Sequence, residues 1–342
     1  MRSFGSDNHS GVHPEIMNAI VNANTDHVCA YGDDEYTRKA AGIIENVFGS
    51  GASVFFVFNG TGANVVSLRA CTNTFNSVIC AETAHITVDE CGAPAFMSGA
   101  AIKECKTTDG KLTVDLINQH LKEWDVEHHS QPKVVSISQC TELGTVYTVE
   151  ELKKIADYVH KYDMYLHVDG ARIYNAAVSL NKTLKEIITD TGVDIFSLGG
   201  TKNGMLLGEA VVSFRPELTR YLKFYRKQST QLCSKMRFIS CQYVPFFEKE
   251  IWKDNARHAN EMAQLLRNEL SKFDFITFTQ KTQANIILLK TDRARIDTLL
   301  KQHFFYFWNE DIDEIRLVTS WNTTPEDIEN FIKDVRLTAG LR

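Results

Sequence analysis

Met164-Tyr165-Leu166-His167-Val168-Asp169-Gly170-Ala171-Arg172 and Val193-Asp194-Ile195-Phe196-Ser197-Leu198-Gly199-Gly200-Thr201-Lys202 follow one plan. Each is a short apolar run of strand length, then small residues, then charged side chains. Runs of this kind are fit for strands buried on both faces of a parallel sheet. In an open α/β sheet, ligands bind beyond the carboxyl ends of the strands, where these polar residues fall.

Outward from this pair the same alternation holds. Val54–Phe58 is a continuous β-branched and aromatic run, read as a strand buried on both faces, and a helix follows over Val65–Cys71. Ser77–Cys80 and Lys133–Ser138 read as strands, the second leading through Gly144 to a helix over 148–162, and Glu209–Phe214 is one more strand. Residues 13–24 and 34–48 have helical periodicity. Alternating strands and helices predict a mainly parallel sheet covered by helices.

After about residue 245 the character changes. A single long helix is expected over 247–272, then short strands at Phe275–Thr279, Asn285–Lys290 and Glu314–Thr319, and a closing helix at 325–337. The expected fold is α/β: a large domain over 1–245 and a smaller C-terminal α+β domain over 246–342.

Composition narrows the class. The chain has 342 residues, 44% hydrophobic and 23% charged, and a net charge of −6. The mix is that of a globular protein, and the acidic balance argues against nucleic-acid binding. No apolar run approaches the ~20 residues of a membrane helix. The polar start Met1–His9 has no signal-peptide stretch, and a cytoplasmic location is expected. The eight cysteines never form a C-x-x-C pair and are read as reduced thiols. His128-His129 beside Glu127 is either a metal pair or, more commonly, a solvated loop; no metal is expected.

Several polar residues at strand ends carry chemistry, each with a bland alternative. Gly60-Thr61-Gly62, between a strand and a helix start, is either an anion cup at a helix N-terminus or an ordinary capped turn. It is not a P-loop. Asp169 either holds a ligand's ring N–H or caps a helix. Lys202, thirty-three residues on, belongs to a neighbouring strand end; as a nucleophile it must escape a free pKa of about 10.4. His85 can stack on a flat ring or move protons. Arg172 and Arg316 offer planar forks for a carboxylate, or are surface arginines. A phosphate cup, an imidazole, an aspartate, a lysine and arginines together form the equipment of a pyridoxal-phosphate enzyme.

With these residues in view, the sequence resembles the threonine aldolase / β-eliminating lyase family of fold type I pyridoxal-phosphate enzymes over nearly its whole length. The best-matched stretches are Tyr31–Tyr36, Asn59–Asn64, His167–Arg172 and Gly199–Gly204. The resemblance implies that Lys202 forms an imine with pyridoxal 5'-phosphate, Asp169 pairs with the ring nitrogen, and His85 stacks on the ring. Gly60 and Thr61 would hold the phosphate, and Arg172 also belongs to the cofactor set. Ser6, Tyr31, Arg172 and Arg316 would serve the amino-acid substrate. Tyr31 would reach the site of a neighbouring subunit, so a homodimer or homotetramer is expected, with sites at the interface.

Two departures stand out. The family's glycine-rich R-K-x-x-G-G-G-M-R-Q stretch is replaced by Arg226–Phe238, in which Lys227 and Arg237 are the matches for phosphate contacts. Where relatives carry E-N-T-H, this chain reads Gln139-Cys140-Thr141-Glu142, without the histidine. The implied reaction is retro-aldol cleavage of a β-hydroxy-α-amino acid to glycine and an aldehyde, with His85 the leading base. The alternatives are β-elimination, transamination or racemisation on the same scaffold. A nicotinamide-dependent dehydrogenase is opposed by the lack of G-x-G-x-x-G after Val54–Phe58.

Overall fold

The computed structural model describes residues 3–49 and 51–340. Eleven strands among them form two sheets. The first seven are β1 (Ser53–Val57), β2 (Asn76–Ala81), β3 (Ala101–Cys105), β4 (Gln131–Ser138), β5 (Tyr165–Gly170), β6 (Ile195–Leu198) and β7 (Glu209–Ser213). They form one sheet in the order β1-β7-β6-β5-β4-β2-β3. β2 to β6 pair in parallel, while β7 runs antiparallel to both its neighbours. Helices lie on both faces, which is why β5 and β6 are almost wholly buried and read as continuous apolar runs.

The expected parallel sheet is present, with two corrections. β1 lies at the sheet edge, and its first three residues are only half-buried. Arg226, from the helix Pro216–Gln228, donates to the Phe56 carbonyl at 3.2 Å and covers the Phe55 ring. The outer part of the strand is thus covered by the Arg226 side chain over Phe55, while Phe56 and Val57 are buried in the core. The second concerns the long helix, which is broken into Tyr243–Glu248 and Ile251–Leu270. Glu250 takes a left-handed φ of 51° at the break. Glu248-Lys249-Glu250 are good helix formers with no glycine or proline among them. Burial of Phe246 and Phe247 in the core of the large sheet overrides local propensity.

The second sheet, in the order β10-β11-β9-β8, is antiparallel: β8 (Thr277–Phe278), β9 (Ile286–Lys290), β10 (Tyr306–Asn309) and β11 (Glu314–Val318). Neither β10 nor β3 of the first sheet is expected from the sequence. The helix Pro325–Thr338 packs on this sheet's core through Phe331. Helix Ile251–Leu270 is shared: Ile251 and Ala256 pack in the large core, Leu266 and Leu270 in the small one. Residues 3–10 also join the two regions. The Phe4 N–H donates to Phe304 O (2.8 Å), and the Phe4 carbonyl accepts from Val318 N–H (2.7 Å).

All eight cysteines are free. Among the described residues no helix is long and apolar enough to cross a membrane, and no cluster of acids, histidines and cysteines could hold a metal. His128 and Glu127 lie 3.7 Å apart, exposed on a loop.

Candidate active site

Asp169 sits on β5, opposite Ser197 of β6. Its Oδ1 accepts the Ala171 N–H at 3.0 Å, and its Oδ2 accepts from Asn64 Nδ2 at 2.9 Å. Asn64 is buried on the helix Gly60–Cys71, and the same Nδ2 donates its other hydrogen to Glu90 Oε1 at 2.8 Å. Its Oδ1 accepts from the Ser197 hydroxyl at 2.8 Å, so the amide orientation is fixed. Glu90 Oε1 also meets His85 Nδ1 at 2.8 Å. That hydrogen bond raises the His85 pKa, against burial, which lowers it. Beneath lies His167, held by Ser136 and Ser197 hydroxyls. Burial pushes it down to about 4, so it is a neutral packing element.

Lys202 follows β6 on a single 3-10 turn, Thr201–Asn203. Its charge acts on Asp7, His85, Glu142 and Glu209, groups drawn from four separate segments around it. The sequence-based expectation that Asp169 and Lys202 occupy neighbouring strand ends is met by the β5–β6 pairing.

Arg172 and Arg316 do come together, but with partners of their own. Arg172 grips Asp7 with two bonds, Nε to Oδ2 at 2.7 Å and Nη2 to Oδ1 at 3.0 Å. Its Nη1 lies 3.6 Å from Glu142, and Arg316 Nη2 donates to the other oxygen of Glu142 at 2.9 Å. Asp7 takes a further bond from Asn285 Nδ2 at 3.0 Å. Burial raises the Glu142 carboxyl, but Arg316 and Arg172 outweigh it and leave the pKa at about 2. Asp7 is likewise lowered, its burial outweighed chiefly by Arg172 and Lys202. Arg316 Nε is buried without a hydrogen-bond partner among the described residues. A buried cationic donor without a partner is costly, and an incoming carboxylate would satisfy it.

Gly60 and Thr61 open the helix Gly60–Cys71, whose first N–H groups have no acceptor within the helix and whose dipole favours an anion. Asn59 caps it through Gly62 N–H at 2.7 Å. The Gln231 side chain lies where a Cβ on Gly62 would fall, and its Oε1 accepts from Phe58 N–H. Only glycine at 62 leaves room for it. Ser6 caps the short turn Asp7–His9. Tyr31 and Lys227 pair with each other, and Arg237 binds a different segment. Lys227 Nζ lies over the exposed Tyr31 ring at 5.3 Å, and Arg237 donates to the Thr25 carbonyl at 2.8 Å.

The residues that sequence reasoning left without a role are Asp7, Asn64, Glu90, Glu142, Glu209, Gln231 and Asn285. Asn64, Glu142 and Gln231 lay inside quoted motifs. Asp7 had no local signal, since its partner Arg172 is 165 positions away.

Comparison with known proteins agrees with this geometry. The sequence profile described as beta-eliminating lyase matches residues 3–292. The chain is 38% identical to the low specificity L-threonine aldolase of Pseudomonas aeruginosa, over 99% of this chain and 98% of that protein. It is also 38% identical to the protein of the same name from another Pseudomonas species, over 98% and 97%. Among solved structures, one described as an initial structural analysis of Leishmania major threonine aldolase superposes with a TM-score of 0.93 at 28% identity, covering 99% of both chains. With Asp169 and Lys202 at adjacent strand ends of a mainly parallel sheet and a smaller antiparallel sheet beside it, the chain belongs to the beta-eliminating lyase family and has the fold type I architecture.

Proposed function

We propose that this chain is a pyridoxal 5'-phosphate-dependent aldolase that cleaves L-threonine or L-allo-threonine type β-hydroxy-α-amino acids to glycine and an aldehyde. The observation that carries it is the pair Asp169 and Lys202, the aspartate backed by Asn64, Glu90 and His85. The names of relatives matched over almost their whole length favour the aldolase among fold type I activities.

The residues present fit this cofactor. Lys202 offers the amine, and Asp169 has acceptor capacity left for a ring N–H, since each of its oxygens takes a single bond. His85 offers a flat face held by Glu90. Gly60 and Thr61 offer a helix N-terminus to the phosphate, with Lys227 and Arg237 as further cations. When bound, the cofactor accepts the electron pair of the breaking Cα–Cβ bond. The protein's own part is to hold and to move protons. Asp169 keeps a proton on the ring nitrogen. Arg316, through its unpartnered Nε, grips the substrate carboxylate beside Arg172 and Ser6, and so sets which bond at Cα can break. The Arg172 fork is engaged by Asp7, so Arg316 is the principal carboxylate contact. His85 takes the hydroxyl proton.

Completion by a second copy of the chain, as dimer or tetramer, belongs to this reading. Tyr31, Leu206, Leu207, Met17 and Val21 are exposed apolar side chains. The unpaired cysteines suit a reducing cytoplasm. The division into 1–245 and 246–342 is part of the same proposal; helix Ile251–Leu270 lies beyond that boundary, yet its first turns pack in the large core.

The test is to incubate the protein with L-threonine, L-allo-threonine and L-phenylserine, with and without added pyridoxal phosphate. Glycine with the matching aldehyde is expected. An oxo acid with ammonia would overturn the aldolase and favour an eliminating lyase.

A further inference from the structure

Glu209 opens β7 and is buried within the large domain. Its side chain turns toward the segment that follows β6. Oε2 accepts the Gly200 N–H at 2.8 Å and Oε1 the Thr201 N–H at 3.4 Å. Both oxygens are thus engaged by backbone donors, one and two residues before Lys202.

The rest of this turn is held by shape and by neutral groups. Tyr174 donates its hydroxyl to Gly199 O at 2.7 Å, and the Tyr243 hydroxyl lies 3.3 Å from Gly208 O and 3.4 Å from Leu198 O. A Cβ on Gly200 would collide with Met205 Sδ and come within 2.8 Å of Gly208 O. The backbone leading to Lys202 therefore has one arrangement, and Glu209 is the charged member of the cage. A neutral amide could accept from only one of these donors and would turn its own NH2 against the other, so the two N–H groups together require a carboxylate. A carboxylate that accepts both N–H groups also carries a charge, and one nearby partner feels it.

That partner is Lys202, the cation whose field acts on Glu209. Burial pushes the Glu209 carboxyl up to about 7, and the Thr201 bonds and Lys202 oppose the rise. The other ionisable groups that feel its charge are Tyr174 and Tyr243, both buried and shifted further from ionisation. Asp7, Glu142 and His85 act on Lys202 from other elements.

We propose that Glu209 is a positioning residue for Lys202: it fixes the Gly200–Thr201 backbone that aims the lysine, and its negative charge stabilises the positively charged state of the lysine nitrogen. The proposal rests on the reading of Lys202 as the cofactor lysine. It assigns to the β7 side of the site a control on when that nitrogen carries its proton.

The test uses the holoenzyme, with Glu209→Gln and Glu209→Asp beside the unchanged protein. The readout is the pH midpoint at which the visible absorbance of the lysine-bound cofactor changes, followed with kcat, KM and Tm. Removing a nearby anion destabilises the protonated nitrogen, so E209Q should lower the midpoint by about half a pH unit or more. It should lower kcat about tenfold with KM little changed. E209D, which keeps the charge, should return the midpoint toward that of the unchanged protein. An E209Q midpoint equal to that of the unchanged protein, with only Tm lowered, would overturn the proposal and leave Glu209 a structural pin. If E209Q does not fold, Glu209→Ala takes its place: a lowered midpoint supports the coupling, and an unchanged one overturns it. No visible band in the unchanged protein would instead overturn the reading of Lys202 itself.

Discussion

β5 and β6 carry a buried aspartate at each end of their shared ladder, and the two ends are built differently. At the amino end, Asp194 accepts the Leu166 N–H at 2.7 Å and meets His160 Nε2 at 2.9 Å, with the Arg215 guanidinium on its other oxygen. At the carboxyl end, Asp169 shares the Asn64 amide with Glu90, and the surrounding cluster leaves Glu90 Oε2, Asn285 Oδ1 and Arg316 Nε buried without partners among the described residues. Folded proteins rarely leave such atoms unmatched. One end has a cation and a backbone donor directed at its aspartate. The other keeps donors and acceptors in reserve, which is what a site must do if a ligand is to complete it.

Substitutions at the two ends should therefore fail in different ways. The largest loss is expected for Lys202→Ala: glycine formation from L-threonine should fall by about 10³-fold or more, with loss of the yellow colour of the bound cofactor and little change in Tm. A coloured, active K202A protein would remove the lysine from the chemistry. Asp169→Asn keeps the shape of the carboxyl end but not its charge, and kcat should drop by roughly 10²- to 10³-fold, as expected when a preorganised charge is lost. His85→Asn should slow turnover by about 10²-fold while cofactor absorbance persists. A base works in its neutral form, and Glu90 holds His85 above the usual histidine value. Activity should thus rise with pH through that raised pKa in the unchanged protein, and H85N should lose this limb; an unaltered pH profile would exclude His85 as base. The smallest kinetic effect is expected at the amino end. Asp194→Asn should leave kcat and KM within about twofold, yet lower Tm by several degrees, because it weakens charge-assisted bonds at a buried position. If D194N lowers kcat and leaves Tm alone, the contrast between the two ends is wrong.

The strand ends were legible in the sequence because a parallel sheet buries both faces of its strands, so apolar runs stop abruptly where ligands bind. That logic located Asp169 and Lys202 and made them neighbours. It had no means of finding Asp7 or Glu142, because ion pairs between distant segments leave no periodic trace. Glu209 was read only as the first residue of a strand, and nothing local marks its carboxylate as buried against the Lys202 turn. Arg172 was read as a fork for the substrate carboxylate; in the structure that fork holds Asp7 of the chain itself. The break at Glu250 was hidden for the opposite reason: local propensity favours a continuous helix, and distant packing decides against it.

The strap formed by residues 3–10 has a consequence for how the molecule is made. Phe4 is held by Phe304 and Val318, and Asp7 by Arg172 and Asn285. In ribosomal synthesis these early residues emerge long before most of their partners exist. Loop closure over some 300 positions is among the slowest kinds of contact to form, because its entropy must be lost before any bond repays it. Arg172 therefore stays without its aspartate, and the carboxylate end of the site without its final charge balance, until the last quarter of the chain has folded and the strap is threaded beneath it. Competence for substrate should be a late event in refolding, lagging behind the recovery of sheet structure.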